Sequence, residues 1–419
     1  MTTPTGASRW PLAYVAGIFP LLSETFVYRE VRGLRQRGWP LVAVSLYETR
    51  AASPDDPDLK QDRLIAYGSE LRRTLLSATA EIFFHPLRSL KTLSIAVWDA
   101  MHPGEPLAWK GRLKLPLQAL AAVGLARRLR EREVRHIHCH FSNAPTTIGM
   151  YAAMQLKIPF SFTGHANDIF QRRSILKIKL RRAAFVACIS QWHQGWYSSR
   201  QPDPSRKYEV IRCGVDAHPG PLPERRARGK EEPLKILSVC RLVEKKGIDT
   251  LIVATAELNR RGIPARLSIA GDGPDRRRLE KVAEEQNCQD QISWLGAVSN
   301  AQVFPLLGEA DIFALPCRQD SNGDRDGIPV VLMEAMASGT PVIAGDLPAI
   351  GELVEDGVSG LLVKANDSAG LADKLAMLWG DPKLRRRLAE AGRKKVESEF
   401  SLAMNLDRLE RRFIAAQQS

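Results

Sequence analysis

The segment DGIPVVLME places two carboxylates, Asp326 and Glu334, eight residues apart at the start of an apolar stretch. The first carboxylate lies in a Gly-Pro loop, and Pro329 suits the first position of a helix, where its missing N–H leaves no bond unmade. A helix start offers unpaired backbone N–H groups and the positive end of the helix dipole, which together bind anions. Carboxylates beside an anion site indicate a ligand with both phosphates and hydroxyls, as a nucleotide sugar has.

Two cations precede this segment in the same half of the chain. Arg241 follows the predicted strand LKILSVC, and Lys246 lies in the loop after it. Arg makes forked hydrogen bonds to phosphate and Lys supplies a mobile point charge, so the pair could hold a diphosphate. Two exposed cations without a function are the alternative interpretation, and the 326–334 segment in the same half favours the functional one.

The acidic residues of the segment have candidate partners on such a ligand. Glu334 interrupts the apolar run LMEAMA, and burial of a carboxylate without a partner is costly, so ribose hydroxyls would suit it. Asp326 could accept hydrogen bonds from the sugar ring. The Asp-x-Asp pattern at 324–326 also matches metal-dependent sugar transfer. We favour a site without a metal, because Arg241 and Lys246 can supply the positive charge.

Histidines gather in the first half. His136, His138 and His140 alternate along one predicted strand and therefore share a face. A zinc site with Cys139 is the alternative to burial in the sheet, but Cys139 points to the opposite face. His165 differs, because it ends a strand in the Gly-containing turn FTGHAND, and we predict a functional role for it.

Two further turns follow predicted strands. In the segment 23–25, Ser23 is a candidate N-cap, and Glu24 is a candidate contact of an acceptor hydroxyl. The segment 271–274, GDGP, is predicted to be a tight turn before a helix. It is not a dinucleotide-binding fingerprint, because Pro274 breaks the Gly-x-Gly-x-x-Gly pattern.

The length of 419 residues predicts two domains, and a content of 44% hydrophobic and 26% charged residues is ordinary for a globular protein. The six cysteines are scattered without a Cys-x-x-Cys pair, which predicts free thiols and a reduced, cytoplasmic compartment. The first residues lack the pattern of a signal peptide, and no uncharged apolar run is long enough to cross a membrane.

The excess of positive over negative charge is confined to the first half. Residues 1–215 hold 31 Lys and Arg against 16 Asp and Glu, a net charge of +15, whereas residues 216–419 hold 29 against 31. A solvated basic surface is one interpretation. Contact with anionic membrane lipid or a lipid diphosphate is the other, and no motif supports nucleic acid. Residues 70–132 predict amphipathic helices, for which core packing is favoured over lying on a membrane.

Strands and helices alternate in both halves. The first half opens with a β-α-β pattern, and a second alternating series begins near residue 234. We therefore predict an α/β protein with two Rossmann-like, doubly wound parallel sheets that face each other across a ligand-binding cleft. The predicted parts are a first domain over 1–215, a Pro-rich linker over 216–233, a second domain over 234–400, and a C-terminal helix over 401–419 that packs back on the first domain.

The motifs together resemble the retaining glycosyltransferases of family 4, which have the GT-B fold. The resemblance covers nearly the whole chain and is strongest over 236–363. It is carried by RLVEKKG at 241–247, GDGP at 271–274, WLG at 294–296 and the 326–334 segment. LSETF at 22–26 and FSFTGHAND at 160–168 resemble the branch that assembles bacterial exopolysaccharides of the colanic acid type.

The resemblance implies roles for residues by position. Arg241 and Lys246 would bind the donor diphosphate, and Glu334 the ribose. Asp326 would contact hydroxyls of the transferred sugar. His165 would contact that sugar and steady charge near the reacting centre. The remaining donor contacts lie in two short runs: the backbone of Gly327 and Ile328, with Pro329 shaping the loop, and the backbone near Trp294 and Leu295, which would meet the base.

The resemblance also implies a reaction. The donor would be a UDP- or GDP-sugar, no cofactor or metal would be needed, and a hexosyl group would pass to a glycan or a polyprenyl-diphosphate-linked acceptor. The leaving phosphate oxygen would take the acceptor proton, because no protein nucleophile is assigned. Transfer to a soluble small molecule, a non-catalytic nucleotide-sugar-binding protein and an oxidoreductase are the alternatives. Asp326 stands where the family has Glu, which leaves its hydroxyl partner open, and the family's Gly-Gly loop near the first strand is absent.

Overall fold

A computed structural model describes residues 9–21, 24–48, 63–166, 169, 174–203, 207–216 and 232–418. The candidate cap Ser23 and most of the predicted linker, 217–231, lie outside the described residues. The chain divides into two compact units. The first consists of Met1–Arg212 with Asn405–Ser419, and the second of Cys213–Met404.

Seven parallel strands among the described residues form the sheet of the first unit, in the order β3-β2-β1-β4-β5-β6-β7. This order reverses direction between β1 and β4, which is the position where doubly wound sheets bind ligands at the carboxyl ends of their strands. The strands are β1 (Leu12–Ala16), β2 (Leu41–Ser45), β3 (Arg63–Ile65), β4 (His136–His140), β5 (Phe160–Gly164), β6 (Phe185–Cys188) and β7 (Tyr208–Val210).

The helices of the first unit connect these strands. The described ones are α1 (Thr25–Gln36), α2 (Leu71–Phe84), α3 (Pro86–Met101), α4 (Trp109–Arg130), α5 (Ala144–Leu156), α6 (Leu176–Arg182) and α7 (Gln191–Arg200). None of the helices in the described part of the chain combines the length and the apolar character needed to cross a bilayer.

The sheet of the second unit has six parallel strands among the described residues, in the order β10-β9-β8-β11-β12-β13. Its direction reverses between β8 and β11. The prediction of two Rossmann-like parallel sheets is therefore confirmed. The strands are β8 (Leu234–Val239), β9 (Ala265–Ala270), β10 (Ile292–Gly296), β11 (Ile312–Leu315), β12 (Val342–Gly345) and β13 (Leu361–Val363).

Helices also alternate with strands in this half, and the chain ends in three consecutive helices. The described helices of this half are α8 (Ile248–Arg260), α9 (Arg276–Glu285), α10 (Asn300–Glu309), α11 (Val330–Ala337), α12 (Ser368–Gly380), α13 (Pro382–Glu399) and α14 (Leu402–Gln418). The helix α12 was missed by the sequence interpretation. Its N-cap, Asp367, accepts a hydrogen bond from the backbone N–H of Gly370 at 2.8 Å, as capping carboxylates do.

Most of helix α14 belongs to the first unit. Phe413 is fully buried there, and its ring meets the rings of Tyr14, His138 and Phe185 with centroid distances of 6.5, 5.4 and 5.7 Å. These partners come from β1, β4 and β6. The last helix of the chain therefore completes the aromatic packing against the first sheet.

The favoured expectation of core packing is wrong for the apolar faces of α2 and α3. Leu76 is 72% exposed, Phe83 is 78% exposed and Leu87 is 82% exposed. It holds for the second half of α4, where Leu125 and Leu129 are fully buried.

Substitution of Glu410 on α14 tests how much this helix contributes to the stability of the first unit. Its Oε1 accepts from Trp39 Nε1 at 2.6 Å, and its Oε2 accepts from Arg37 Nη1 at 2.7 Å. Glu410→Ala leaves these donors without their partner, and we expect the free energy of unfolding of the first unit to fall by about 2–3 kcal/mol. Urea denaturation measures the change.

Asp407→Ala is the matched control, because Asp407 also contacts Arg37, at 2.6 Å, but its side chain is 53% exposed. An exposed ion pair contributes about 0–1 kcal/mol. Equal effects of the two substitutions would contradict a special role for Glu410.

Candidate functional site

The loops at the carboxyl edge of the second sheet touch one another through backbone atoms. A Cβ at Gly271, after β9, would lie 1.8 Å from the carbonyl oxygen of Cys240, after β8. A Cβ at Gly345, at the end of β12, would lie 1.8 Å from the carbonyl oxygen of Cys317, after β11. Glycine is therefore required at both positions, and Gly271 also has a φ of +133°. The tight turn predicted at 271–274 is confirmed, since β9 ends at Ala270 and α9 already begins at Arg276.

Lys246 and Asp326 meet at this edge. Lys246 lies in a short 3-10 turn after β8, and its Nζ is 2.9 Å from Oδ2 of Asp326, in the loop after β11. Their side chains are only 14% and 13% exposed. Burial would raise the pKa of the Asp326 carboxyl, but Lys246 and Lys245 outweigh it and hold that pKa below its ordinary value. The pair lies where the strand order reverses, which is the expected ligand position for this sheet.

Lys245 and Cys317 complete the surroundings of Asp326. Lys245 Nζ lies 2.9 Å from Oδ2 of Asp324 and 3.5 Å from Oδ1 of Asp326. The Cys317 thiol, whose pKa is raised well above its ordinary value by burial, donates to Oδ2 of Asp326 at 3.1 Å. Both carboxylates of the Asp-x-Asp pattern are thus bonded to lysines, which supply positive charge from the chain itself.

Helix α11 begins one residue later than the sequence suggested. Pro329 is its N-cap, with ψ of 127°, and Val330 is the first helical residue. The difference arises because Pro329 itself has extended backbone angles. Glu334, which is 3% exposed, lies in the second turn and accepts a hydrogen bond from Asn300 Nδ2 on α10 at 3.1 Å. Asn300 therefore supplies a partner that a buried carboxylate requires.

The other predicted donor residues are placed at the same end of the second sheet. Arg241 is exposed in the loop after β8. Gly327 and Ile328 are buried between Asp326 and α11. On β10, Trp294 is half-buried beneath Arg276, whose guanidinium carbon lies 4.2 Å from the ring centroid, and Leu295 is 40% exposed.

His165 lies in the first unit, directly after β5. It is 7% exposed, and its Nε2 is 3.2 Å from Nδ1 of His140. Its ring packs against the rings of Phe26 and Phe141 in tilted arrangements, with centroid distances of 4.4 and 4.7 Å. Burial, followed by His140 and His193, lowers its pKa well below the ordinary value. The lowered pKa favours the neutral imidazole of His165 near pH 7. Glu24 precedes α1 in the same unit and is half-buried.

The three histidines of β4 are fully buried, as the sheet interpretation predicted. His138 is bonded through both ring nitrogens, to Ser161 Oγ at 2.7 Å and Thr163 Oγ1 at 3.0 Å. His140 Nε2 lies 3.2 Å from Oε2 of Glu30 on α1. Glu30, His138 and His140 form the group of potential metal ligands found among the described residues. The hydroxyls that bond His138 already occupy its ring nitrogens.

Several neighbours of the site were not found from the sequence. Lys245 adjoins Lys246, so its charge was visible but its pairing with Asp324 was not. Asn300 is 34 residues from Glu334 and carried no local pattern. The aromatic surroundings of His165 come from Phe26 on α1 and Phe141 after β4, which only the sheet order brings together.

Two family models match the chain. The model described as "Glycosyltransferase Family 4" matches residues 23–218, and the model "Glycosyl transferases group 1" matches residues 223–395. Together they cover both compact units, and their boundary falls near the one between the units.

Curated relatives match over part of their length. The chain is 39% identical over 202 residues to the putative colanic acid biosynthesis glycosyltransferase WcaL of Escherichia coli, covering 47% of this chain and 48% of that protein. It is 37% identical over 198 residues to the amylovoran biosynthesis glycosyltransferase AmsK of Erwinia amylovora, covering 47% and 48%. The chain therefore spans about half the length of the curated relatives it matches.

Solved structures share the fold over nearly the whole chain. Sucrose-phosphate synthase from Thermosynechococcus elongatus superposes with a TM-score of 0.72 at 20% identity, covering 97% of this chain and 100% of that one. HepE of Anabaena, solved with UDP and glucose, superposes with a TM-score of 0.67 at 16% identity, covering 96% and 99%. The GT-B fold expected from the resemblance is confirmed.

The Lys246–Asp326 pair makes stability depend on pH. Asp326 has a pKa lowered from its ordinary value of 3.8, so the pair stabilises the second unit above that pH and ceases to do so as the pH falls through the lowered pKa. Asp326→Asn should reduce the free energy of unfolding by about 1–3 kcal/mol at pH 7. The difference from the unsubstituted protein should shrink towards zero below about pH 4.

Urea denaturation at a series of pH values between 7 and 3 measures this difference. Asp373→Asn is the control, because Asp373 is 66% exposed in its ion pair with Arg261. An Asp326→Asn difference that is constant with pH would contradict the assignment.

Proposed function

We propose, since the chain belongs to glycosyltransferase family 4, that it transfers a sugar from a nucleoside diphosphate sugar to a glycan or lipid-linked acceptor with retention of anomeric configuration. The relatives WcaL and AmsK are named for exopolysaccharide biosynthesis, and we propose the same kind of product for this protein. The observation that carries the proposal is the contact of Lys246 with Asp326 at the reversal point of the second sheet, directly before the start of α11.

The donor diphosphate needs positive charge and N–H groups in one place. Arg241 and Lys246 follow β8, and the start of α11 lies in the loop after the neighbouring strand β11. We propose that Lys246 holds both the diphosphate and Asp326, because its ammonium group has three donors. The exposed Arg241 is available to make forked bonds to phosphate oxygens. The backbone N–H groups of Gly327 and Ile328 would donate to the same phosphates, and the start of α11 would add the positive end of its helix dipole.

The sugar and the nucleoside need acceptors for their hydroxyls. We propose that Glu334 accepts from the ribose with Asn300 holding its carboxylate in position, as the bond to Oε1 supports. Asp326 would accept from the transferred sugar. The base would lie along the backbone of β10 near Trp294 and Leu295. UDP and GDP both remain candidates: HepE was solved with UDP, whereas a relative from Mycobacterium tuberculosis, 33% identical over 236 residues, is named as GDP-mannose-dependent.

The chemistry proposed is electrostatic. As the glycosidic bond to the diphosphate breaks, negative charge grows on the phosphate oxygen, and fixed cations and a helix start lower the energy of that state. The departing oxygen takes the acceptor proton on the same face, so the new bond keeps the configuration of the old one. Because Arg241 and the two lysines supply the charge, we propose that the reaction needs no metal ion and no cofactor.

The first unit is proposed to bind the acceptor, with Glu24 as a contact for its hydroxyl and His165 as a contact for the transferred sugar. A glycan or a polyprenyl-diphosphate-linked acceptor is favoured. We propose that the protein is cytoplasmic and binds peripherally to the inner face of the cell membrane. A soluble small-molecule acceptor and a non-catalytic nucleotide-sugar-binding protein are the alternatives. No nucleic acid partner is proposed.

Donor binding tests the proposal directly. The full chain should show a raised melting temperature with one of a panel of UDP- and GDP-sugars, because a ligand that binds only the folded state stabilises it. Release of free nucleotide should accelerate when acceptor is added. Stabilisation without any nucleotide release would favour the binding protein over the enzyme.

Arg241→Ala should weaken donor binding about 10- to 100-fold without lowering the melting temperature of the protein alone, because the side chain is exposed and its bonds to phosphate are lost. Titration calorimetry with the donor found in the panel measures the change. Lys281→Ala is the matched control, since Lys281 is a 74% exposed cation on α9 of the same unit. Equal affinities of the two variants would remove Arg241 from the donor site.

His165→Ala should distinguish the function of the first unit from donor binding by the second. Nucleotide affinity, which we assign to the second unit, should change less than about threefold, whereas kcat should fall about 100-fold or more as the contact to the transferred sugar is lost. Because His165 is neutral, the rate of the unsubstituted enzyme should not depend on its protonation between pH 6 and 8. Unchanged kcat in His165→Ala would end this assignment.

A further inference from the structure

Helices α2 and α3 bury their polar faces against the rest of the first unit. The buried residues of the two helices are small or polar: Thr74, Ala78 and Glu81 on α2, and Ser89, Thr92, Ala96, Asp99 and Ala100 on α3. Their spacing of three or four residues places each set on one helix face. In a helix on the surface of a globular protein the apolar face normally packs inward, so this arrangement is the reverse of the ordinary one.

The buried carboxylate of Glu81 is bonded from outside its helix through one of its two oxygens. Its Oε1 accepts from Arg130 Nη2 on α4 at 2.5 Å and from Gln155 Nε2 on α5 at 3.0 Å. Gln155 also donates to Ser89 Oγ at 3.1 Å and accepts from Thr92 Oγ1 at 2.9 Å. One glutamine thus ties α2 and α3 to α5.

Asp99 holds the far end of α3 in the same way. Arg182, on α6, donates to its two oxygens at 2.6 and 2.9 Å, and Tyr151 donates to Oδ2 at 3.0 Å. Rolling α2 or α3 to bury its apolar face would remove Glu81 or Asp99 from these partners, and a buried charge without its partner is strongly destabilising. The polar network therefore fixes the apolar side chains on the outside.

The outward side of α2, α3 and the start of α4 is consequently an apolar surface, which we call the outer face. Exposed large side chains on one continuous stretch of chain define it: Leu71, Leu75, Leu76, Ile82, Phe83, Phe84, Leu87, Leu90, Val97, Trp98, Met101, Trp109, Leu113 and Leu117. Only four other large apolar side chains in the described residues are exposed to a similar degree, and they are scattered: Tyr47, Leu295, Val358 and Met377.

The charges around the outer face are of one sign. Residues 71–117 contain seven Lys and Arg and three Asp and Glu. All three acids face inward, because Glu81 and Asp99 are buried and Glu105 accepts from the backbone N–H of Leu176 at 2.6 Å. Six of the seven bases are exposed: Arg72, Arg73, Lys91, Lys110, Arg112 and Lys114.

We propose that the outer face binds the surface of a bilayer that contains anionic lipid. Its apolar side chains would enter the boundary between head groups and acyl chains, the tryptophans would lie at the interface that they favour, and the bases would meet the anionic head groups. A second copy of the chain fits less well, since each copy would bring the same positive rim. This inference rests on the proposed function and extends it. The acceptor would be bound to lipid, and the outer face would bring the protein to the membrane that holds this acceptor.

Vesicle sedimentation of the full chain, without donor or acceptor, tests the proposal. Binding should be stronger to phosphatidylcholine vesicles with added phosphatidylglycerol than to phosphatidylcholine alone, and it should weaken as salt rises. The double substitution Phe83→Glu with Leu87→Glu should weaken binding more than tenfold, because both side chains would enter the lipid and each then brings a charge. Lys91→Gln with Lys110→Gln should remove most of the preference for anionic lipid.

Met377→Glu is the control, because Met377 is a 51% exposed apolar residue on α12 of the second unit and should not affect lipid binding. Circular dichroism verifies that each variant folds, and unchanged donor affinity in Phe83→Glu with Leu87→Glu separates this test from that of the proposed function. Absence of binding by the unsubstituted chain would overturn the proposal, as would equal binding by the outer-face variant. A dimer in solution that this variant dissolves would assign the outer face to a second copy.

Discussion

The carboxyl edge of the second sheet depends on backbone contact that only glycine permits. Gly271 and Gly345 lie against the carbonyl groups that follow β8 and β11, and a methyl group at either position would force those loops apart. With the loops held together, Lys246 and Asp326 come within 2.9 Å although 80 residues separate them. The main chain therefore positions the cationic and anionic parts of the candidate site, which is the form of preorganisation that electrostatic catalysis requires.

The architecture was largely readable from the sequence because parallel strands are short apolar runs between amphipathic helices. The two sheets, the tight turn at 271–274 and the start of α11 to within one residue follow from such local patterns. The orientation of α2 and α3 did not. Periodicity shows which residues share a helix face, but whether that face turns inward depends on distant partners. Here Arg130, Gln155 and Arg182 attract the polar faces of these helices and overcome the usual preference for burying the apolar ones.

The site was predictable to a similar extent, and its prediction was incomplete for a similar reason. Residue types and their place after strands indicated Lys246 with Asp326, because ends of parallel strands share an edge. Asn300, which holds Glu334, comes from a separate helix and has no sequence pattern of its own. The neutral state of His165 also could not be foreseen, since it follows from burial among Phe26, Phe141 and His140. Tertiary surroundings therefore decided both the partners and the charge of site residues.

Helix α14 affects the order in which the two units of this protein can fold during its synthesis. Phe413 packs against Tyr14, which leaves the ribosome some 400 residues earlier. Glu410 bonds to Trp39 across a separation of 371 residues. Domains generally fold as they emerge, the N-terminal one first. The first unit cannot do so completely, because one of its helices is translated after the second unit. It must wait, with part of its sheet uncovered, until the second unit has been made, so a stalled or truncated chain would expose that surface to chaperones and proteases.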